Sequence, residues 1–191
     1  VDTGIAGTID NNIGGTTSLG FHSAIRLADQ SIESLKATSS AMGSIFFVEL
    51  MGAGSGHLAL ACAYQARAEG VLVNEHPDPD AYIDDVILGT LKRSLGVPNK
   101  SHLFIVAERT PHRHHPDGGV HGLPDYVARE ISKWPQVCPR PGHYPLTPAT
   151  KTTILGHTLR GAPPTPEDKA IGQHLAYETV KRLVERPEDL V

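Results

Sequence analysis

An aspartate close to the start of the sequence lies in a segment suited to chemistry. Asp10 belongs to "GTIDNN" (7–12), and two further glycines follow at 14 and 15. A carboxylate in such a loop can act as a general base when a hydroxyl comes within hydrogen-bond reach, can hold a metal, or can form an Asx-turn or a helix cap. Ser18 is the candidate cap of the helix that follows. Because eight positions separate it from Asp10, we expect Asp10 to be available for another role.

Two further segments could bind phosphate. "MGAGSG" (51–56) has three glycines, whose amides could approach an anion or only make a tight connection. "ILGHTLRG" (154–161) places His157 and Arg160 within four residues. An arginine can donate two hydrogen bonds to one phosphate, and a histidine can donate another. A surface arginine and a capping histidine are equally compatible with these residues alone.

Two segments are ambiguous when taken alone. Glu108 ends the apolar run "HLFIVAE", where a carboxylate can bind substrate hydroxyls or be ordinary solvated surface, and the second interpretation is favoured in isolation. "TPHRHHPDGGVHG" (110–122) contains four histidines, but no cysteine or well-spaced carboxylate completes a zinc site. We therefore expect a flexible, solvated loop and no native metal site. The histidines are His112, His114, His115 and His121.

Apolar runs and helical periodicity alternate along the chain and would position these groups. Strands are predicted over 44–50, 70–75, 102–108 and 151–157. Helices are predicted over 19–35, 58–68, 84–95, 123–132 and from Pro166 to about 185, the last with Thr165 as cap. This order indicates an α/β fold with a doubly wound parallel sheet in Rossmann-like layers. Ligands of such sheets bind beyond the carboxyl ends of the strands, where the segments above converge.

Composition excludes several classes of protein. A formal net charge of -4 over 191 residues gives no general attraction for nucleic acid or an anionic membrane. No apolar run approaches the roughly 18–20 residues of a membrane span. Cys62 and Cys138 provide no disulfide framework, which fits a reducing, cytoplasmic compartment. Because the chain begins "VDTG", without Met or a signal peptide, we expect a fragment or a processed chain.

Three segments, in this order, resemble the ATP-dependent 6-phosphofructokinase family. They are "GIAGTIDNNIGGTTSLGFHSAI", "FFVELMGAGSGHLAL" and "TILGHTLRGAPPTPEDKAIG", and the resemblance covers nearly all 191 residues. It implies a cytoplasmic, allosteric glycolytic kinase that transfers the γ-phosphoryl group of ATP to the 1-hydroxyl of fructose 6-phosphate, with magnesium, in a homo- or hetero-oligomer. It also implies that 1–191 is a partial domain with the catalytic loop and the sugar-phosphate half. The ATP loop and the magnesium-binding acid would lie upstream.

The resemblance assigns roles around the sugar. Asp10 would be the base that takes the proton from the 1-hydroxyl, with Thr8 beside it on the substrate. Met51 and Gly52 would contact the sugar, and Glu108 would bind its hydroxyls.

The resemblance also assigns roles around the phosphates. His157 and Arg160 would hold the 6-phosphate, and Lys151 stands where the family has another phosphate-binding arginine. Gly7 matches the ATP-using branch, because pyrophosphate users usually carry lysine there. Glu69 falls where bacterial members use a carboxylate at the effector site.

Several positions depart from the family pattern. Asn12 replaces an aspartate, Ala53 replaces the arginine that steadies the transferred phosphoryl group, and Ser44 replaces an arginine that reaches a neighbouring subunit's sugar phosphate. Cationic stabilisation of phosphoryl transfer is worth roughly 10³–10⁵ in rate, so the change at Ala53 could be severe. An alternative is therefore a non-catalytic regulatory half of a duplicated enzyme that binds a sugar bisphosphate, although Asp10 opposes it. A structural member that only oligomerises is the third interpretation.

Overall fold

The computed structural model describes residues 5–95, 97, 100–134 and 148–185. Four strands form one sheet in the order β2-β3-β1-β4, and every neighbouring pair is parallel. The strands are β1 (Ile45–Leu50), β2 (Gly70–Leu72), β3 (His102–Ala107) and β4 (Thr150–Ile154). The parallel sheet predicted from the sequence is confirmed. Cys138 lies outside the described residues.

Helices connect the strands. They are α1 (Phe21–Met42), α2 (His57–Ala66), α3 (Pro79–Ala81), α4 (Leu88–Ser94), α5 (Leu123–Ser132) and α6 (Pro166–Glu185). A π-helical segment, Tyr82–Ile87, joins α3 to α4, and a 3₁₀ helix, Gly156–Gly161, follows β4. The predicted strand over 151–157 is therefore too long, because Gly156 adopts a φ of 48° and turns the chain into the 3₁₀ helix. No helix in the described ranges is long and apolar enough to cross a membrane.

The two central strands are buried at every position because helices cover both faces of the sheet. One face packs against α1, α2 and Leu159, and the other packs against the π-helical segment, α4 and α5. Alternate residues of each strand serve the two faces: Phe46 and Val48 belong to the first core, and Ile45 and Phe47 to the second. This is the doubly wound arrangement that the sequence predicts.

Candidate functional site

Asp10 is 7% exposed, and its two carboxylate oxygens have different surroundings. The Thr8 hydroxyl donates a hydrogen bond of 2.9 Å to Oδ2 and accepts one of 3.3 Å from the Asp10 amide. Oδ1 is buried and receives no hydrogen bond from the described part of the chain. Buried polar atoms are nearly always paired, so an unpartnered carboxylate oxygen points to a ligand or a reacting group. Thr8 fixes the side chain through Oδ2, while Oδ1 can still accept a hydrogen bond.

The loop that carries Asp10 folds back onto the residues before α1. The Leu19 amide donates to the Ala6 carbonyl at 2.8 Å, and the Ser18 amide donates to Asn11 Oδ1 at 3.0 Å. Asn11 has a φ of 52°, a left-handed conformation that asparagine tolerates better than most residues. The position of Asp10 is therefore tied to the start of α1.

The predicted capping of α1 by Ser18 is wrong. Gly20 occupies the cap position with a φ of 109°, and Ser18 has a buried hydroxyl with no partner among the described residues. Asp168, from α6, instead accepts hydrogen bonds from the amides of Gly20 at 3.0 Å and Ser23 at 2.7 Å. A cap that comes from 145 positions away leaves no local signal in the sequence.

Backbone amides of the glycine loop after β1 donate hydrogen bonds to carboxylates of the same chain. Glu108 Oε1 accepts 2.7 Å and 3.3 Å hydrogen bonds from the amides of Ala53 and Gly52. The Gly56 amide, at the start of α2, donates to both oxygens of Glu75 at 2.8 Å and 3.0 Å. Of the two interpretations of this loop, these contacts favour the tight connection, because the amides of Gly52 and Gly56 already donate to protein carboxylates. Sequence alone gives no register that would place Glu108 or Glu75 there.

The residues that the resemblance assigns to the sugar follow neighbouring strands at one edge of the sheet. The Glu108 amide donates to the Leu50 carbonyl at 2.9 Å, so Glu108 lies beside the residue that precedes Met51. Glu49 of β1 is in register with Ile154 of β4, so the 3₁₀ helix begins at the same edge. The structure thus places Met51, Gly52, Glu108 and the 3₁₀ helix at the carboxyl ends of three adjacent strands.

The 3₁₀ helix presents its two candidate phosphate-binding side chains to solvent. His157 and Arg160 are exposed, while Leu159 between them is 1% exposed and anchors the helix in the core. Arg160 and Ile9, the residue before Asp10, line the same cleft of about 520 Å³. The phosphate-binding candidate Arg160 and the Asp10 loop therefore border a common space.

Lys151 is not brought to this edge. It is in register with Phe46, near the amino end of β1, and lies three residues before the end of β4. At about 3.3 Å per residue, that places it roughly 10 Å back from the carboxyl edge. Ser44 directly precedes β1 and is 3% exposed, so it also lies at the amino end of the sheet.

The histidine-rich loop, 110–122, is not solvated throughout, and that prediction is wrong. Gly118, Gly119 and Val120 are buried, and the Val120 amide donates to Glu49 Oε2 at 2.7 Å. A Cβ atom on Gly119 would lie 2.4 Å from the same oxygen, and its φ of 61° also favours glycine. His114 stacks on Tyr126 with ring centroids 3.8 Å apart, and burial lowers the pKa of its imidazole. The paired glycines were the sequence signal for this close approach.

Comparison with known proteins identifies the family. The family model described as phosphofructokinase matches residues 3–183, which is most of the chain. The chain belongs to the phosphofructokinase family.

Relatives named ATP-dependent 6-phosphofructokinase share about a third of its residues. The protein of Cytophaga hutchinsonii is 30% identical over 184 residues, covering 95% of this chain and 49% of the relative. A Thermus thermophilus relative is 31% identical over 183 residues, with the same coverage of 95% and 49%. The Caenorhabditis elegans relative is 30% identical over 187 residues, which are 97% of this chain but 21% of that protein. The chain thus spans about half the length of the bacterial relatives.

Solved phosphofructokinase structures share the fold. The chain matches the Pichia pastoris enzyme in the T-state with a TM-score of 0.76 at 22% identity, covering 97% of this chain and 19% of that one. The Saccharomyces cerevisiae phosphofructokinase gives a TM-score of 0.71 at 23% identity, with coverage of 91% and 21%. The α/β fold predicted from the sequence is therefore a phosphofructokinase fold.

Phosphofructokinases that use ATP imply a nucleotide and magnesium, and the described residues fit only part of that requirement. Within the described ranges, no group of three His, Cys, Asp or Glu side chains is placed to hold a metal ion. Gly7 is exposed, and a Cβ atom there would meet nothing within 4 Å. The fold therefore does not require glycine at this position, and the space beside it is open to a ligand.

Proposed function

We propose that this chain carries the catalytic loop and the sugar-phosphate-binding part of a 6-phosphofructokinase, with 1–191 forming a partial phosphofructokinase domain. The reaction transfers the γ-phosphoryl group of ATP to the 1-hydroxyl of fructose 6-phosphate, a step of glycolysis in the cytoplasm. The observation that carries the proposal is Asp10, which is buried, is fixed by Thr8 at one oxygen and has no partner among the described residues at the other.

Asp10 acts as the general base. Oδ1 accepts the proton of the 1-hydroxyl as the sugar oxygen forms its bond to the γ-phosphorus. The bond between that phosphorus and the bridging oxygen breaks, and ADP leaves with the bonding electrons. Positioning and charge neutralisation supply most of the rate of such a transfer. Gly7 leaves space for the nucleotide beside the same loop, which supports ATP as the phosphoryl donor. When bound, magnesium would neutralise charge on the phosphates.

The sugar phosphate occupies the carboxyl edge of the sheet. Met51 and Gly52 contact the sugar there. Both hydrogen bonds from the glycine loop reach Glu108 Oε1, which leaves Oε2 for a sugar hydroxyl. His157 and Arg160, exposed on the anchored 3₁₀ helix, hold the 6-phosphate.

Lys151 contributes to the sugar-phosphate site of a neighbouring subunit rather than to the site in its own chain. Because it lies toward the amino end of β4, we assign it to the sugar phosphate of a neighbouring subunit in a homo- or hetero-oligomer. Its ammonium preserves the charge of the family's arginine but cannot make the two-pronged hydrogen bond.

The test is Asp10→Asn in the full protein, assayed by ADP formation with ATP and fructose 6-phosphate. Loss of a general base lowers kcat by roughly 10²–10⁴. Asp85→Asn is the matched control, because Asp85 is exposed and undergoes the same change of charge. Turnover of Asp10→Asn within a few-fold of the parent would show that Asp10 is not the base.

A second candidate function follows from Ala53. Its methyl group is exposed where the family carries the arginine that steadies the transferred phosphoryl group. A site without that cation could bind a sugar bisphosphate as a regulatory half of a duplicated enzyme. Calorimetry with fructose 6-phosphate and fructose 2,6-bisphosphate, together with the turnover assay, separates the two functions. Tighter binding of the bisphosphate without turnover would favour the regulatory function.

A further inference from the structure

Asp168 makes an unusual set of contacts for a residue in the first turn of a helix. It is 3% exposed, and its carboxylate faces the start of α1. Oδ1 accepts from the Gly20 amide at 3.0 Å, and Oδ2 accepts from the Ser23 amide at 2.7 Å and from the Ser23 hydroxyl. A negative charge at a helix N-terminus is favourable, because the first amides have no partner within the helix. Asp168 therefore supplies the cap that α1 lacks locally.

The contact continues as a closed network between the starts of two helices. The Ser23 hydroxyl also accepts a 3.0 Å hydrogen bond from the Thr165 amide, and Thr165 Oγ1 accepts a 3.3 Å hydrogen bond from the Asp168 amide. Ser23 and Thr165 are 5% and 4% exposed, so water does not compete strongly for these groups. Asp168 is the only buried residue of α6 along its described length. Polar contacts, more than apolar packing, therefore locate the start of this helix.

The catalytic loop lies at one end of this network. The Leu19 amide donates a hydrogen bond to the Ala6 carbonyl, and the Ser18 amide donates one to the Asn11 side chain. Ala6 and Asn11 lie on either side of Asp10 in the sequence. A Cβ atom on Gly20 would lie 3.5 Å from Ile9 Cγ2, so the residue held by Asp168 is packed against the neighbour of Asp10.

The sugar-phosphate segment lies at the other end. Arg160 is five positions before Thr165, and Arg160, Ile9 and Asp168 all line the same cleft. A displacement of Asp168 relative to Gly20 would therefore change the distance between the loop and the 3₁₀ helix.

We propose that Asp168 is a positioning residue that holds the Asp10 loop in place against the segment that carries Arg160. It acts through α1 and the residues before it. The catalytic part of the inference rests on the proposed function, whereas the structural part does not. Misplacement of a reacting group by about 1 Å can cost roughly 10²-fold in rate, which makes such a clamp important for turnover.

The first experiment is Asp168→Asn in the full protein, with steady-state kinetics for fructose 6-phosphate. Asparagine keeps the shape, but its NH₂ group must face an amide or hydroxyl donor. We expect kcat to fall by about ten- to a hundred-fold, with KM within about three-fold, because Leu159 anchors the phosphate-binding helix independently. Glu167→Gln, an exposed neighbour in the same turn, should leave both constants unchanged. A rise in KM as large as the fall in kcat would overturn the positioning role.

Hydrogen exchange provides a readout that does not depend on activity. In Asp168→Asn, the amides of Gly20, Ser23 and residues 7–12 should exchange faster, while those of α5 should not change. Unchanged exchange over 7–12 would overturn the proposal even in an active enzyme. Faster exchange in a protein whose parent has no turnover would support the clamp and defeat the proposed function. Should Asp168→Asn not fold, Ser23→Ala removes one donor; unchanged kcat and exchange there would also overturn the proposal.

Discussion

The loop before α1 and the loop after β1 both place a carboxylate near glycine-rich backbone, but they leave it in different states. In the first loop, Asp10 has one oxygen bonded to Thr8 and one buried oxygen without a partner in the described chain. In the second, Glu108 accepts from two amides, and Glu75 takes the amide at the start of α2. The carboxylates of the second loop hold its amides in place, with Glu108 Oε2 left for the proposed sugar hydroxyl, whereas Asp10 keeps a buried oxygen for the proposed reacting group.

The difference has an energetic consequence. A buried polar atom without a partner costs about 1–3 kcal/mol, and more when it is charged. Such a cost persists at functional sites because the surrounding structure enforces it. The first loop is therefore expected to be unfavourable for stability and necessary for turnover. The glycine loop after β1 is expected to be favourable for stability. We expect it to contribute little to catalysis, because Ala53 stands where the family pattern has an arginine.

Ala53→Arg is expected to have the largest effect on the comparison of the two loops. It places a guanidinium in the glycine loop after β1, where it could stabilise the transferred phosphoryl group. Ala53 is exposed and its φ of 50° already lies in the left-handed region, so a longer side chain meets no new backbone restriction. Arginine cations in phosphoryl transfer are worth roughly 10³–10⁵ in rate, and we expect kcat to rise by at least about ten-fold. ADP formation at saturating substrates measures the change.

Two matched variants separate charge from geometry at this position. Ala53→Lys adds charge without the planar fork and should give a smaller increase, and Ala53→Gln should give none. If Ala53→Arg also leaves kcat unchanged, the side chain at this position does not face the transferred phosphoryl group.

The same chemical change in each loop tests the comparison directly through stability. Glu108→Gln weakens charge-assisted hydrogen bonds from Ala53 and Gly52 and should lower the free energy of unfolding by about 1 kcal/mol. Asp10→Asn replaces a buried carboxylate whose Oδ1 has no partner among the described residues, and it should leave stability unchanged or slightly increased. Urea denaturation measures both, with exposed Glu167→Gln as control. A larger loss for Asp10→Asn than for Glu108→Gln would reverse the comparison.

Much of the fold could be predicted because its signals are local. The apolar runs at β1 and β3 indicate buried parallel strands, and the Thr165-Pro166 start of α6 was placed correctly. The errors arise where another part of the chain decides the structure. Ser18 has the residue type of a helix cap, but Asp168 reaches α1 from the far end of the chain.

In the candidate site, too, local sequence predicts some features, and distant segments decide the others. Residue types and their order single out the Asp10 loop and the pair His157 and Arg160 as candidates, but they do not show which backbone amides already donate to protein carboxylates. The partners of the glycine loop are Glu108 and Glu75, which come from segments 56 and 19 positions away from the amides they bind. Sheet register, which no single segment encodes, brings Glu108 beside β1.

Melting temperatures at acid pH test whether the Asp168 carboxylate stabilises the start of α1, which follows the Asp10 loop. This is the smallest of the expected effects. Burial alone would raise the pKa of Asp168, but the Ser23 hydroxyl and the amides of Gly20 and Ser23 outweigh burial and hold that pKa below its ordinary value. Because the folded-state pKa is lower than the unfolded one, the stabilisation is complete above about pH 4 and is lost as pH falls through the folded value. Between about pH 5 and about pH 3, the melting temperature of the parent should therefore fall more steeply than that of Asp168→Asn. Asp84, whose pKa is also lowered, is present in both proteins and cancels in the difference. If the melting temperatures of the two proteins fall in parallel with pH, the carboxylate of Asp168 does not stabilise α1. Contacts other than those of Asp168 would then hold the Asp10 loop in place.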